Sequence, residues 1–454
     1  MRALAELGEI TIEDGNGRSG QGWPGFDASS SVYRTQQGRI PGVIDVGECP
    51  KWDAGERSRR SILFAACFVL ALSSGCATMR LHAPSLDLRP CAEGYADTAD
   101  GWRLGVRHFR PVTPDPAKLP VVLCHGLGLN GTFWTITDSQ TYLPAQLTAK
   151  GYEVFVFDFR GSGLSAKIGA IGQLNAGLRQ TPLLELGECK WTVDEIVKYD
   201  VPAVLDYIKT ETGKDRVNWV GHSLGGMLMF AFLETSPEPG RIANFVAMGS
   251  TITFADRPET RYQQERMLTA NRGLQRLSQV ASTGRLGRPL MIMRIPGLAQ
   301  IDQFYFSAAN VDRTTVSRFY GYTLEDTGCA ALKQLDPYLA VGRFLSADRS
   351  IDYVARLDQV HTPLLMVAGD GDIMSDVPST ELTFNAVASR DKTLLRFGKS
   401  EGHVADYGHC DLVWSRYAPK EVFPPLIDWL DARQPRPVAS VQSSEQASNS
   451  PRKK

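Results

Sequence analysis

The chain has 454 residues, enough for one α/β domain carrying an insertion. Its 43% hydrophobic and 22% charged residues are ordinary for a globular protein with a sizeable core. A formal net charge of -1, with no Lys/Arg stripe interleaved with aromatics, points away from a nucleic-acid partner, so function has to be argued from local motifs.

Residues 1–57 are rich in Gly and Ser with little periodicity. They read as a disordered leader or as sequence ahead of the true start of translation. Over 58–76 the pattern changes. Arg57-Ser58-Arg59-Arg60 precedes an apolar run, Ile62 to Leu72, and then Ser73-Ser74-Gly75-Cys76. A basic region, a short apolar region and a small-residue cleavage site mark a secretory signal. The run is too short to span a bilayer as a helix. Cys76 directly after Gly75 resembles the lipidation site of a bacterial lipoprotein signal, with Ser73 where Leu is usual. This reading makes the protein exported, held to a membrane by a lipid anchor at Cys76, and facing the periplasm or the cell surface. Of eight cysteines, Cys91, Cys124, Cys189, Cys329 and Cys410 stay in the mature domain. In an oxidising compartment that number allows one or two disulfides without assigning the pairs.

The folded domain is expected over 77–433. Tyr95 to Thr98, Asp100-Gly101 and Trp102 to Phe109 read as a β-hairpin around an Asp-Gly turn. Val121-Val122-Leu123-Cys124 is apolar without alternation, as a buried parallel strand requires, and runs into His125-Gly126-Leu127-Gly128. A helix over Tyr142 to Lys150 and a strand over Val154 to Phe157 repeat the pattern. The next helix starts near Thr192, where Thr192 and Glu195 form a capping box; Pro202 predicts a kink or late start, and Gly213 closes it. Strands follow at Val217 to Val220 and Asn244 to Met248. Strands alternating with helices predict a mostly parallel sheet covered by helices on both faces, with right-handed crossovers.

From about 253 to 356 the rhythm breaks into helical patches rich in Arg, Gln, Met and aromatics, among them Met267, Met291, Met293, Phe304 to Phe306 and Phe319 to Tyr322. This segment reads as an inserted, mostly helical cap. The sheet resumes at Pro363 to Val367 and Thr393 to Phe397, and a last helix is expected from about Pro419 to Leu430. Residues 434–454 are Pro-, Ser- and Lys-rich and read as a disordered tail.

Between the strand at Val217 to Val220 and the following helix lies Gly221-His222-Ser223-Leu224-Gly225, the G-x-S-x-G turn that presents a nucleophile. Its glycines remove side chains that would collide around a tight, strained turn. A Ser hydroxyl needs a base, and the base an orienting acid, in the chain order Ser, acid, His. His361 precedes the acid and is disfavoured. His403 and His409 both lie after the Thr393 strand, and spacing does not choose between them. For the acid, Asp372 sits where the loop after Ala368 turns back; Asp370 and Asp376 compete and read as loop caps. The oxyanion hole calls for two backbone N–H groups, those of Leu127 and Leu224, each worth about 3 kcal/mol of transition-state stabilisation. No CxxC or His-rich spacing suggests a metal, and no cofactor is required.

Trp191-Thr192-Val193-Asp194-Glu195-Ile196 through Asp200-Val201-Pro202-Ala203, followed by the Gly-His-Ser turn, resembles the acid lipase family of the α/β-hydrolase superfamily, which includes the gastric and lysosomal lipases. Tyr407-Gly408-His409-Cys410-Asp411-Leu412-Val413-Trp414 is similar to that family's His-x-Asp segment. The resemblance implies an α/β-hydrolase fold with a cap, His409 as the base over His403, and Asp372 as the acid. It departs at Leu224, where the family has Gln after the nucleophile. It implies a serine carboxylic ester hydrolase acting on acyl or lipid esters through an acyl-serine. An acyltransferase or thioesterase with the same triad, and a non-catalytic surface lipoprotein, stay open from the residues alone.

Overall fold

The computed structural model describes residues 92–169, 190–278 and 299–435. The expected leader, the signal with Cys76, residues Cys91 and Cys189, Met291 and Met293, and nearly all of the expected tail lie outside the described residues.

The hairpin forms as its Asp-Gly turn predicts. Strand β1 (Ala92–Asp97) pairs antiparallel with β2 (Trp102–Phe109). Then come β3 (Val121–Cys124), β4 (Val154–Phe157), the two-residue β5 (Ala166–Lys167), β6 (Val217–His222), β7 (Ile242–Met248), β8 (Leu364–Gly369) and β9 (Lys392–Phe397). The sheet order is β1-β2-β4-β3-β6-β7-β8-β9, with β5 pairing to β2. From β4 onward each neighbouring pair in that order is parallel, while β2 meets β4 antiparallel.

Alternation along these strands explains why they are apolar throughout. Val122, Phe155, Trp219, Phe245 and Leu364 face one buried layer, and Val121, Val154, Val220, Val246 and Leu365 face another. The first layer packs under α2 (Val201–Thr212) and α3 (Leu224–Thr235). The second packs under α1 (Leu143–Ala149) and a C-terminal helix, Phe423–Asp431. Fully burying each such aliphatic side chain contributes roughly 1.5–3 kcal/mol.

Local signals also hold. Thr192 and Glu195 close a capping box, and Gly213 ends α2 in the left-handed conformation. Pro202 stands in the first turn of α2, immediately after a π turn over Ile196–Asp200, so the late start is realised by widening the preceding turn. One expectation needs correction. The last helix is not continuous from Pro419 to Leu430 but breaks at Val422 into Ala418–Glu421 and Phe423–Asp431. Pro424 and Pro425 lack the N–H groups that would have bonded back across the break.

In the 253–356 region the described residues form the helices Pro258–Ser278, Ala299–Tyr305, Arg313–Arg318, Cys329–Gln334 and Asp336–Val341. Phe306, Phe319 and Tyr320 are core residues: Phe319 lies 5.0 Å from Trp414 ring to ring. They pack this region onto the main domain. Cys124 and Cys410 are buried free thiols. Among the described residues no helix is long and apolar enough to cross a membrane, and no cluster of three metal-ligating side chains occurs.

The last turn of α3 buries Glu234, with neither carboxyl oxygen bonded among the described residues. Burial pushes its carboxyl up to about 9, against the opposing charge of Arg356. An acid whose folded value is raised loses stability as pH climbs from its unfolded value, near 4.5, toward 9. Urea titrations between pH 5 and 9 should show stability falling by up to about 1.4 kcal/mol per pH unit, and Glu234→Gln should flatten that slope.

Candidate active site

The site is built at the C-terminal ends of β3, β6, β7 and β8. Strand β6 delivers Ser223 directly into α3. Ser223 has φ 53 and ψ -122, a left-handed backbone that a non-glycine residue holds at a cost of about 1–3 kcal/mol. Its N–H donates to Met248 O (3.0 Å), and its carbonyl accepts from the Ser250 hydroxyl (2.9 Å) and from the N–H groups of Gly226 and Met227. A Ser ahead of a helix ordinarily caps it with its hydroxyl. Here the hydroxyl makes no capping bond, because the strained backbone turns the side chain away from the helix.

The glycines fix this geometry by close approach. A Cβ at Gly221 would strike the backbone of Gly225 and Gly226. One at Gly225 would come within 2.7 Å of His125 O. The constraint at Gly225 is therefore the end of β3 as much as the turn itself. Gly126 lies against Ser223, since a Cβ there would be 3.0 Å from the Ser223 Cβ.

Asp372 and His409 come together from loops after β8 and β9. His409 Nδ1 donates to Asp372 Oδ2 at 2.9 Å, both side chains buried. Asp372 Oδ1 accepts from the N–H groups of Met374 (2.8 Å) and Ser375 (2.9 Å), which fixes the carboxylate's direction. His409 Nε2 is buried with no hydrogen-bond partner among the described residues. The His409–Asp372 bond is thus formed, whereas a bond from the Ser223 hydroxyl to Nε2 is not. Catalytic hydrogen bonds are often long before substrate binds and tighten in the complex.

The rival residues are occupied elsewhere. His403 Nδ1 faces Gly398 O (3.1 Å) within its own turn. Asp370 binds Arg396 and the Ser400 hydroxyl. Asp376 caps helix Val377–Ala386 through Ser379 N–H (2.9 Å). The Leu224 N–H opens α3, where the helix dipole adds partial positive charge. Neither the Leu224 nor the Leu127 N–H is committed to a bond among the described residues. The Leu127 loop is held by His125, whose Nε2 accepts from Phe159 N–H (3.3 Å) while Nδ1–H donates to Gly126 O (2.9 Å). Burial lowers His125 to about 4, so it stays a neutral strut.

Three contributors were not anticipated from sequence. His222 Nε2–H donates to the His409 carbonyl (2.9 Å), and its ring lies 4.7 Å from that of His409. Burial, then the neighbouring His409, holds His222 well below the usual histidine range, so it is neutral. Gly249 has φ +52, and a Cβ there would be 3.2 Å from Asp372 Oδ2 and 3.3 Å from His409 Nδ1. Ser375 donates to Gly249 O (2.8 Å) and ties the acid loop to β7. The Gly249-Ser250 pair straight after a buried strand was the available signal.

The sequence profile of the α/β hydrolase fold family matches residues 120–415, a span holding Ser223, Asp372 and His409. The chain belongs to that family. The curated relatives that this α/β hydrolase matches include lipases. Human lipase member N is 31% identical over 175 residues, covering 36% of this chain and 40% of that protein. Rat gastric triacylglycerol lipase is 30% identical over 176 residues, covering 37% and 42%. These matches span about two-fifths of those relatives' own length. Human lipase member M matches more broadly, at 23% identity over 74% of this chain and 82% of its own. Among solved structures, an esterase from Exiguobacterium antarcticum superposes with a TM-score of 0.49 at 14% identity, covering 75% of this chain and all of that one.

Proposed function

We propose that this α/β hydrolase is a serine carboxylic ester hydrolase, lipase- or esterase-like, that cleaves acyl or lipid esters through an acyl-Ser223 intermediate. The observation that carries the proposal is the His409–Asp372 bond, which leaves Nε2 of His409 buried and unpartnered beside the Ser223 turn. In this reading Ser223 Oγ attacks the ester carbonyl carbon as Nε2 takes its proton. The oxyanion sits on the N–H groups of Leu127 and Leu224. His409, now protonated and stabilised by Asp372, gives that proton to the leaving alkoxide, and an alcohol departs. Water then attacks the acyl-enzyme, losing its proton to Nε2, and the acid leaves as Ser223 regains its proton.

The lipid ester as substrate class is supported by relatives named as lipases, one of them for triacylglycerol. Anchoring to a membrane through lipid on Cys76, with export, is supported by the leader's own residues; loss of palmitate incorporation in Cys76→Ser tests it. The activity is tested with p-nitrophenyl esters from acetyl to palmitoyl on the full chain. Turnover that persists beyond the butyryl ester, and is absent in Ser223→Ala, is the expected result. Hydrolysis confined to acetyl and butyryl esters would contradict a lipid substrate, and no hydrolysis of any ester would contradict the class.

A further inference from the structure

The loop that carries His409 is held by the cap as well as by the sheet. On the sheet side, His222 Nε2–H holds the His409 carbonyl. On the cap side, Cys410 N–H donates to Tyr305 O at 2.6 Å. The third tie is Asp411, a fully buried carboxylate two residues after the base. Its Oδ2 accepts from Gly408 N–H (2.9 Å), from Asn310 Nδ2 (2.8 Å) and from Ser307 N–H (3.2 Å). Gly408 belongs to the base loop, whereas Ser307 and Asn310 belong to the cap. Asn310 spans the same seam a second time, donating to Asp406 O (2.7 Å) and accepting from Arg416 N–H (3.1 Å). A cavity of about 830 Å³ opens along this seam, with Phe306 and Ser307 on one side and Gly371, Ile373 and Gly408 on the other.

We infer that Asp411 is a positioning residue, whose carboxylate links cap docking to the placement of His409 by holding Gly408, Ser307 and Asn310 on one oxygen. This rests on the proposed hydrolase reading. No cation pairs with Asp411 among the described residues, so its charge is held by N–H donors alone. Fully burying a carboxylate for structure alone is costly, and an apolar side chain would pack the seam at lower cost. Three convergent donors, one on the backbone directly before the base, give the charge a task. Burial pushes Asp411 up to about 6, with the nearby Asp372 adding like charge, so an assay at pH 8 reads the ionised form.

The test compares wild type with Asp411→Asn at pH 8 on p-nitrophenyl butyrate, with kcat expressed per site labelled by a fluorophosphonate. With its oxygen on the three donors, the amide turns its NH2 toward the Ser307 N–H that Oδ1 also accepts (3.3 Å), and the charge that strengthens the three bonds is gone. Expected are a fall in kcat per labelled site of about 10- to 100-fold and a KM within about threefold of wild type. A role in stability alone would lower the number of labelled sites and leave kcat per site unchanged, and that result overturns the inference. If Asp411→Asn yields no labelled protein, Asn310→Ala decides. It removes one donor from the cap side, and a fall of about 2- to 5-fold in kcat per site supports the link, while an unchanged value overturns it. Wild type that neither labels nor turns over would overturn the hydrolase reading itself, an outcome separate from the variant results.

Discussion

Ser223→Ala is expected to lower kcat on p-nitrophenyl butyrate by about 10⁶-fold, with the protein still folded. The Ser223 hydroxyl makes no capping bond to α3, so its loss removes no hydrogen bond that the helix depends on. The turn is held instead by Ser223's backbone, through Met248 O and the Ser250 hydroxyl. Thermal unfolding should therefore move by only a few degrees. The paired replacement His409→Ala should lose activity to a similar extent, because a nucleophile without its base is as poor as none. His403→Ala should keep most of it, since that ring faces Gly398 within its own turn. The reverse order of these two histidines would overturn the assignment of the base.

Asp372→Asn carries the second large effect, a fall in kcat of about 10⁴-fold. The carboxylate accepts on both oxygens, from Met374 and Ser375 on one and from His409 on the other. An amide can place its oxygen toward only one side. With its oxygen on the two backbone N–H groups, its NH2 meets Nδ1 of His409 and forces the proton onto Nε2, the atom that must accept from Ser223. KM should change far less than kcat, because Asp372 lies behind the imidazole, away from the substrate. Asp370→Asn should not share the effect, as that carboxylate pairs with Arg396. Steady-state kinetics on both variants separate the two acids.

The parts legible in the sequence were those written locally. Buried strands without alternation, the capping box at Thr192 and Glu195, Gly213 and the five-residue turn at Ser223 each state their geometry within a few positions. The two candidate histidines were six residues apart in one loop, and nothing local distinguishes a ring turned onto its own backbone from one turned onto Asp372. The family resemblance chose His409, and the geometry puts that residue on the acid. The contacts of His222, and those of Asp411 beyond its place in the His-x-Asp segment, were not legible. Their partners lie 187 and about 100 positions away, so their meaning exists only once β6, the cap and the base loop are assembled. The break at Val422 was missed, although Pro424-Pro425 carried its signal in two absent N–H groups.

In the proposed mechanism Ser223 is a nucleophile activated by His409 and Asp372. Fluorophosphonate labelling of the full chain, read by intact mass and peptide mapping, tests it most directly. One adduct per chain is expected, located on Ser223, absent in Ser223→Ala and formed far more slowly in His409→Ala. No adduct on the wild type, or an adduct that persists undiminished in Ser223→Ala, would contradict it.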